Sequence, residues 1–273
     1  MITATSSGKR TPALPREEHG VPGRSTSGGF AGALACEWTK LRSVRAPALC
    51  LLAGLAVTAV FTFYYASIAR INEQAVQPVG NAAAASVVVT QFAAVVLATV
   101  AVTSEYSTGT MRASLLWVPR RHRVQAAKAL VTGIVVFLTG ALSAVVGTVV
   151  AWVAFDGRAS FDAATTIGQI LAIGVYQALV AVLTVGVAFS ARHPAGALSA
   201  LAALLWALPS VLLGLGGDAL AAVNDALPYG AGDRFMRVGG DAPYSSATAV
   251  LIVAAWTAAA HLTGLYVLRR RDA

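Results

Sequence analysis

The acids and bases that could act together fall in two short stretches. In the first, Glu37 and Lys40 lie three residues apart, close enough on a helix to pair, and Arg42 and Arg45 follow. In the second, Glu105 and Arg112 bracket a Ser/Thr/Gly-rich run, with Arg120, Arg121, Arg123 and Lys128 behind them. Charges of this kind anchor, dock or orient a chain. They do not make a catalytic set. Gly8-Lys9-Arg10 lacks the upstream glycine and the Ser/Thr of a phosphate-binding loop. No His-Glu-x-x-His, Cys-x-x-Cys or Gly-x-Ser-x-Gly occurs, so neither a metal site nor a serine nucleophile is supported. His19, His122, His193 and His261 are scattered, and Cys36 and Cys50 are read as free thiols.

The elements that must hold these charges are dictated by composition. Of 273 residues, 57% are hydrophobic and only 12% are charged. A soluble domain carries about 25% charge. Half that amount cannot cover a water-facing surface, and a mean hydropathy of +0.69 agrees. The reading is an integral membrane protein, all-α because the apolar runs do not alternate as barrel strands do.

Six stretches without Asp, Glu, Lys or Arg are predicted to span: Pro47–Ala69, Ala82–Val102, Ala129–Phe155, Ile167–Phe189, Ala195–Leu215 and Ala247–Leu268. Each is 21 residues or longer, against about 20 needed to cross a hydrocarbon core of about 30 Å. With the N-terminus inside, 16 of the 20 Lys and Arg residues fall in inner segments, leaving Arg70, Arg158, Arg234 and Arg237 outside. That split places both termini in the cytoplasm. The net charge of +8 is then explained by membrane topology and not by nucleic acid. Met1 to Gly29, polar and rich in Gly, Pro and Ser, reads as a disordered cytoplasmic tail, and 30–273 as one six-span domain.

Three segments outside the spans carry further information. Phe30, Leu34, Trp38 and Leu41 share a helical face flanked by Lys40, Arg42 and Arg45, as in a helix lying at the inner interface. Glu37 falls among the apolar positions and needs a partner, Lys40 being the local one. A plain basic anchor for the first span would show the same pattern. Between spans two and three, Met111, Leu115 and Val118 suggest a two-turn helix that Thr108 or Thr110 caps and Pro119 stops, with Gly109 allowing a tight backbone approach. Such a helix suits docking to a cytoplasmic partner; a solvated loop is the alternative. Between spans five and six, Asp218 caps a short helix carrying Leu220, Val223 and Leu227, and Pro228, Gly230 and Gly232 then break the chain. That helix either dips into the outer leaflet or lies on the surface.

Inside the spans, Thr58, Thr62, Thr90, Gln91, Gln169 and Gln177 are polar but uncharged. Thr62, Gln91, Gln169 and Gln177 are the candidates for lining a substrate path, with interhelical hydrogen bonding as the other role. Gln169 and Gln177 share a broad helix face, about 80° apart. His261 is the one titratable group near a span interior, so an ion-coupled carrier would have to work through it.

Two motifs resemble those of bacterial permease subunits of the ABC-2 type. Glu37-Trp38-Thr39-Lys40-Leu41-Arg42-Ser43 precedes span one. Thr103-Ser104-Glu105-Tyr106-Ser107-Thr108-Gly109-Thr110-Met111-Arg112, then Val118-Pro119-Arg120-Arg121 and Ala127-Lys128, lie between spans two and three. The resemblance implies an elbow helix holding Glu37, Trp38, Lys40, Leu41 and Arg42. It implies a coupling helix holding Glu105, Tyr106, Thr108, Gly109, Thr110, Met111, Arg112 and Leu115, and a re-entrant outer loop after span five. It further implies a separate ATP-binding cassette subunit gripped by the coupling helix, a second permease copy, identical or not, and no cofactor or catalytic residue on this chain. The expected function is the membrane half of an ATP-driven exporter in the plasma membrane. An ion-coupled secondary transporter and a non-transporting membrane anchor or sensor for an ATPase are the alternatives.

Overall fold

The computed structural model describes residues 29–43, 45–110, 121–239 and 243–270. A helix before the first span, α1 (Phe30–Ser43), is followed by α2 (Arg45–Ile71), α3 (Gly80–Ser107), α4 (Arg121–Phe155), α5 (Ala163–Ala191) and α6 (Pro194–Leu215). Two short helices, α7 (Asp218–Asp225) and α8 (Pro228–Met236), lead into α9 (Ser246–Arg270). Among the described residues, α2, α3, α4, α5, α6 and α9 are long and apolar enough to cross a membrane, matching the six stretches expected. A two-residue parallel bridge, β1 (Gln77–Pro78) with β2 (Ala159–Ser160), joins the α2–α3 and α4–α5 connections.

The helices outrun their apolar segments. α3 continues five residues past Val102 to Ser107, and α4 starts eight residues before Ala129. Backbone bonding does not stop where side chains turn polar; it stops at a cap. Thr108 closes α3, its N–H returning to Ser104 O, and Gly109 turns with φ +71°. Much of the expected inner loop is therefore helix, and Glu105 and Tyr106 ride on the end of span two. At the opposite end Asp162 caps α5 by accepting from the Thr165 N–H at 2.8 Å. Bonds from Thr165 hold its carboxyl below the ordinary aspartate pKa.

α3 and α5 form the enclosed centre. They meet each other and are covered by α2, α4 and α9. Large apolar side chains such as Leu52, Val60, Phe63, Leu138, Trp206 and Leu262 point outward all round the bundle. Water would not tolerate that surface, whereas lipid does. In lipid, apolar residues gain nothing by facing one another, so close fit and polar bonds decide which faces turn inward. The inward faces accordingly carry Ala, Gly and the few polar residues: the Ala82–Ala85 run of α3, and Gln169, Tyr176, Gln177 and Gly186 of α5.

The chain after span five differs from the expected broken loop. Gly217, not Asp218, is the cap of α7, and Pro228 begins a second helix where a break was read. Proline suits a first helical position because its missing N–H is not needed there. Gly230 and Gly232 are not breakers either. A Cβ at Gly230 would stand 2.0 Å from Asn224 O, and one at Gly232 would stand 2.0 Å from the Tyr176 ring. Gly230 is small so that α8 can turn close against the end of α7, and Gly232 so that α8 can press onto α5. In α6 a π turn at Ala203–Ala207 ends on the Leu208 N–H to Ala203 O bond, just before Pro209, which offers no N–H to the turn behind it.

Tyr176 marks the seam between α3, α5 and α8. It is fully buried and donates to Gln91 Oε1 at 2.8 Å. Tyr176→Phe should lose about 0.5–2 kcal/mol, because the Gln91 oxygen is left without a donor. Thermal unfolding of the detergent-solubilised protein measures it, and an unchanged midpoint would show that the bond is matched elsewhere.

Candidate functional site

At the Lys/Arg-rich end of the bundle four ionisable side chains meet. They come from α1 (Glu37, Lys40), the last turn of α3 (Glu105) and the first turns of α4 (Lys128). Lys128 Nζ donates to Glu37 Oε2 at 2.5 Å, to Glu105 Oε1 at 2.9 Å and to the Ala101 carbonyl at 2.9 Å, so all three of its N–H groups are used. Lys40 Nζ donates to Glu37 Oε1 at 2.8 Å and Glu105 Oε1 at 2.7 Å. Lys128, Glu37 and Glu105 are buried, while Lys40 is about a third exposed. Burial alone would lower the Lys40 pKa, but its bonds to Glu105 and Glu37 outweigh that and raise it above the ordinary lysine value.

Two positive and two negative charges cancel, and each cation lies between both anions. That arrangement is what lets charge survive at an interface where desolvation is costly. Mechanically it ties three chain segments at one point. The pre-span helix cannot tilt without pulling on the ends of spans two and three, and those ends flank the connection through residues 111–120.

The pairing of Glu37 with Lys40 was legible from their spacing. Glu105 was named for its motif, and Lys128 was only part of a flanking motif. A signal for their meeting was present: opposite charges flank the same junction, Glu105 just past the end of one apolar run and Lys128 just before the start of the next. α1 turns Ala33 and Glu37 toward the bundle and leaves Phe30 and Trp38 exposed, with Arg42 5.6 Å above the Trp38 ring. Leu41, like Cys50 and Leu51 of α2, packs partly buried against the cluster that contains Leu97 and Ala98 of α3. Both cysteines are free.

Tyr106 sits edge-on to Phe189 of α5, ring centroids 6.3 Å apart, with the Arg192 guanidinium 5.5 Å from its ring. Arg192 in turn reaches the Val267 carbonyl of α9 at 3.4 Å. The ends of α3, α5 and α9 are thus joined at the same end as the charge quartet. Thr108 and Thr110 share a 2.9 Å hydroxyl contact on the exposed turn. Met111, Arg112 and Leu115 lie outside the described residues.

The in-span polar residues are not gathered at the quartet. Gln169 donates to Asn81 Oδ1 at 2.7 Å, Gln91 accepts from Tyr176, and Gln177 reaches Thr90 Oγ1 at 3.3 Å. Thr62 is buried where α2 meets Gly147 of α4. Gln177 borders a void of about 20 Å³, room for about one water. All four occupy helix–helix seams, so cargo could pass along them only if a seam opened. His261 stands between α4 and α9, its Nδ1 2.9 Å from Gln125 Nε2. Among the described residues no cluster of His, Cys, Asp and Glu could hold a metal ion.

With six apolar spans and this joint in view, the comparison with known families is specific. The profile of the ABC-2 family transporter protein matches residues 33–210, roughly two-thirds of the chain. The chain belongs to the ABC-2 transporter family. The match runs from α1 into α6 and contains Glu37, Lys40, Glu105 and Lys128. The α7–α8 pair and α9 lie beyond it, so these helices of this ABC-2 protein are described from its own structure. No curated protein matches the sequence.

Proposed function

We propose that this ABC-2 protein is the membrane half of an ATP-driven exporter that works beside a separate ATP-binding cassette subunit. The quartet carries this reading. It couples the pre-span helix to spans two and three on either side of the 111–120 connection, where a partner's motion would enter. Closure of the ATPase would press on that connection, and the Glu37–Lys40–Glu105–Lys128 joint would pass the displacement to the helix ends. Bundle halves would then part toward the other face, in alternation. The 16-to-4 distribution of Lys and Arg supports a plasma-membrane orientation with both termini and the quartet in the cytoplasm. A second permease copy completes the cargo pathway, since the seams within one chain are closed by its own side chains.

Arg112 tests the reading because it lies outside the quartet. Co-expressed with a candidate ATP-binding cassette subunit from the same genome, the wild-type chain should co-purify as a complex. Arg112→Ala should reduce recovered ATPase at least tenfold while leaving the thermal midpoint of the permease unchanged. Equal recovery of ATPase with both chains would remove this docking assignment.

A further inference from the structure

At the end of the bundle opposite the quartet, α8 lies among the spans. It meets α5 at two levels. The Met236 carbonyl stands at Gln169, and Gly232 stands at the ring of Tyr176, seven residues further along the helix. Tyr176 is 13 residues from the start of α5, about 20 Å along its axis. Met236, the one large side chain of α8 that is fully buried, packs in the cluster that contains Val87, Ile173 and Tyr176. The other inward residues, Gly230, Ala231 and Gly232, are small and bring little apolar area.

Polar bonds hold α8 on one side. The helix ends at Met236 and Arg237 is extended, so the main chain beyond needs new partners. Asn81, in the first turn of α3, supplies both. Its Nδ2 donates to the Val238 carbonyl at 3.0 Å, and its Oδ1 accepts the Val238 N–H at 3.1 Å, as a neighbouring strand would. The same Oδ1 accepts from Gln169 Nε2 at 2.7 Å, and that nitrogen also donates to the Met236 carbonyl at 3.4 Å. Arg237 adds a bond to Tyr65 of α2.

The other side is fixed at the α7–α8 turn. Trp256 of α9 donates Nε1 to the Ala226 carbonyl at 2.9 Å, and the Tyr244 hydroxyl donates to the Asp225 carbonyl. The hairpin is bracketed by glycines in the left-handed region, Gly217 at φ +94° and Gly239 at φ +88°, with open space around each Cβ position. The backbone there can change direction with no side chain in the way.

We propose that the α7–α8 hairpin is a lid on this end of the bundle, pivoting on its α9 side and clasped shut by Asn81. Release of Val238 also frees Gln169, whose two acceptors are Asn81 and the Met236 carbonyl, so the seam between α3 and α5 opens there first. Gln91, Tyr176 and Gln177 lie along the same seam. The clasp is a property of this chain alone; its use in letting cargo through rests on the exporter reading.

Hydrogen–deuterium exchange of the purified full chain in detergent, read by peptide mass spectrometry, tests the lid. In the wild type, amides of residues 228–239 should exchange at least tenfold faster than those of 178–191 in α5, because the lid opens while the bundle stays folded. Asn81→Ala should speed exchange over 228–239 at least tenfold further and leave 178–191 unchanged. Trp256→Phe removes a bond on the pivot side and should change 236–239 less than twofold. Equal wild-type rates in the two segments would overturn the proposal, since the hairpin would then move only when the bundle unfolds. An equal rise in both segments on Asn81→Ala would overturn it too, by making Asn81 a support of the whole fold. If Trp256→Phe matched Asn81→Ala, the clasp would not be at Asn81. Failure of the Arg112 test would remove the exporter reading and leave these rates as expected, so the two claims fail separately.

Discussion

Lys128→Ala should destabilise the protein by about 3–5 kcal/mol, the largest single-residue loss expected outside backbone clashes. Lys128 is 2% exposed and is the only described group that bonds both Glu37 and Glu105 from within the bundle. Removing it leaves two carboxylates, with Lys40 alone between them and one of its faces in solvent. The penalty is that of uncompensated buried charge, not of a lost contact. Lys128→Met combined with Glu105→Gln should therefore recover more than half of the loss, because Glu37 and Lys40 remain as a balanced pair. Thermal or denaturant unfolding in a fixed detergent distinguishes the cases. If the double variant were as unstable as Lys128→Ala, the hydrogen bonds of the Lys128 ammonium to Glu37 and the Ala101 carbonyl, and not charge balance, would be what holds the three helices together.

Gly186→Val should separate α5 from α9. A Cβ at Gly186 would lie 2.6 Å from Ala260 C and 2.7 Å from both Ala260 O and His261 N, all backbone atoms that cannot rotate away. Gly264 faces the same seam, its added Cβ meeting Gly186 O at 2.6 Å. Helix propensity favours Ala over Gly by about 0.5–1 kcal/mol, but overpacking costs about 1–3 kcal/mol or more, so the clash wins. Valine adds two further methyl groups and should exceed the alanine loss. Gly168, on the same helix, supplies the control: nothing lies within 4 Å of its Cβ position, so Gly168→Ala should be neutral or stabilising. Equal melting points for Gly186→Val and Gly168→Ala would show that the α5–α9 seam is loose enough to take a side chain.

Both effects bear on what could be read beforehand. Charge-free runs of 21 residues or more are a length and solvation argument, and that argument needs no neighbours, so the six spans were legible. Their ends were not, because helix continuation depends on caps such as Thr108 and Asp162 and not on hydropathy. The abundance of small residues was visible in every span, yet it named no interface. Gly186 and Gly264 are 78 residues apart and look like any other glycines in an apolar run. Likewise Gln91 and Tyr176 lie 85 positions apart, and their bond exists only because α3 and α5 are adjacent. The α7–α8 hairpin misled for a related reason. Gly230 and Gly232 read as breakers in one dimension and are contact residues in three.

The sequence by itself determined that the chain lives in lipid, crosses it six times, and carries its charge at one end, because solvation and span length are properties of single segments. It also determined that Glu37 needs a partner. Lys40 was its local candidate; only the tertiary structure decided that Lys128 and, through the two lysines, Glu105 join the pair, and that these bind α1, α3 and α4 at one point. Long-range pairing depends on which helices touch. In a bilayer that choice is made by close fit and by a few polar bonds, neither of which leaves a periodic trace in the sequence.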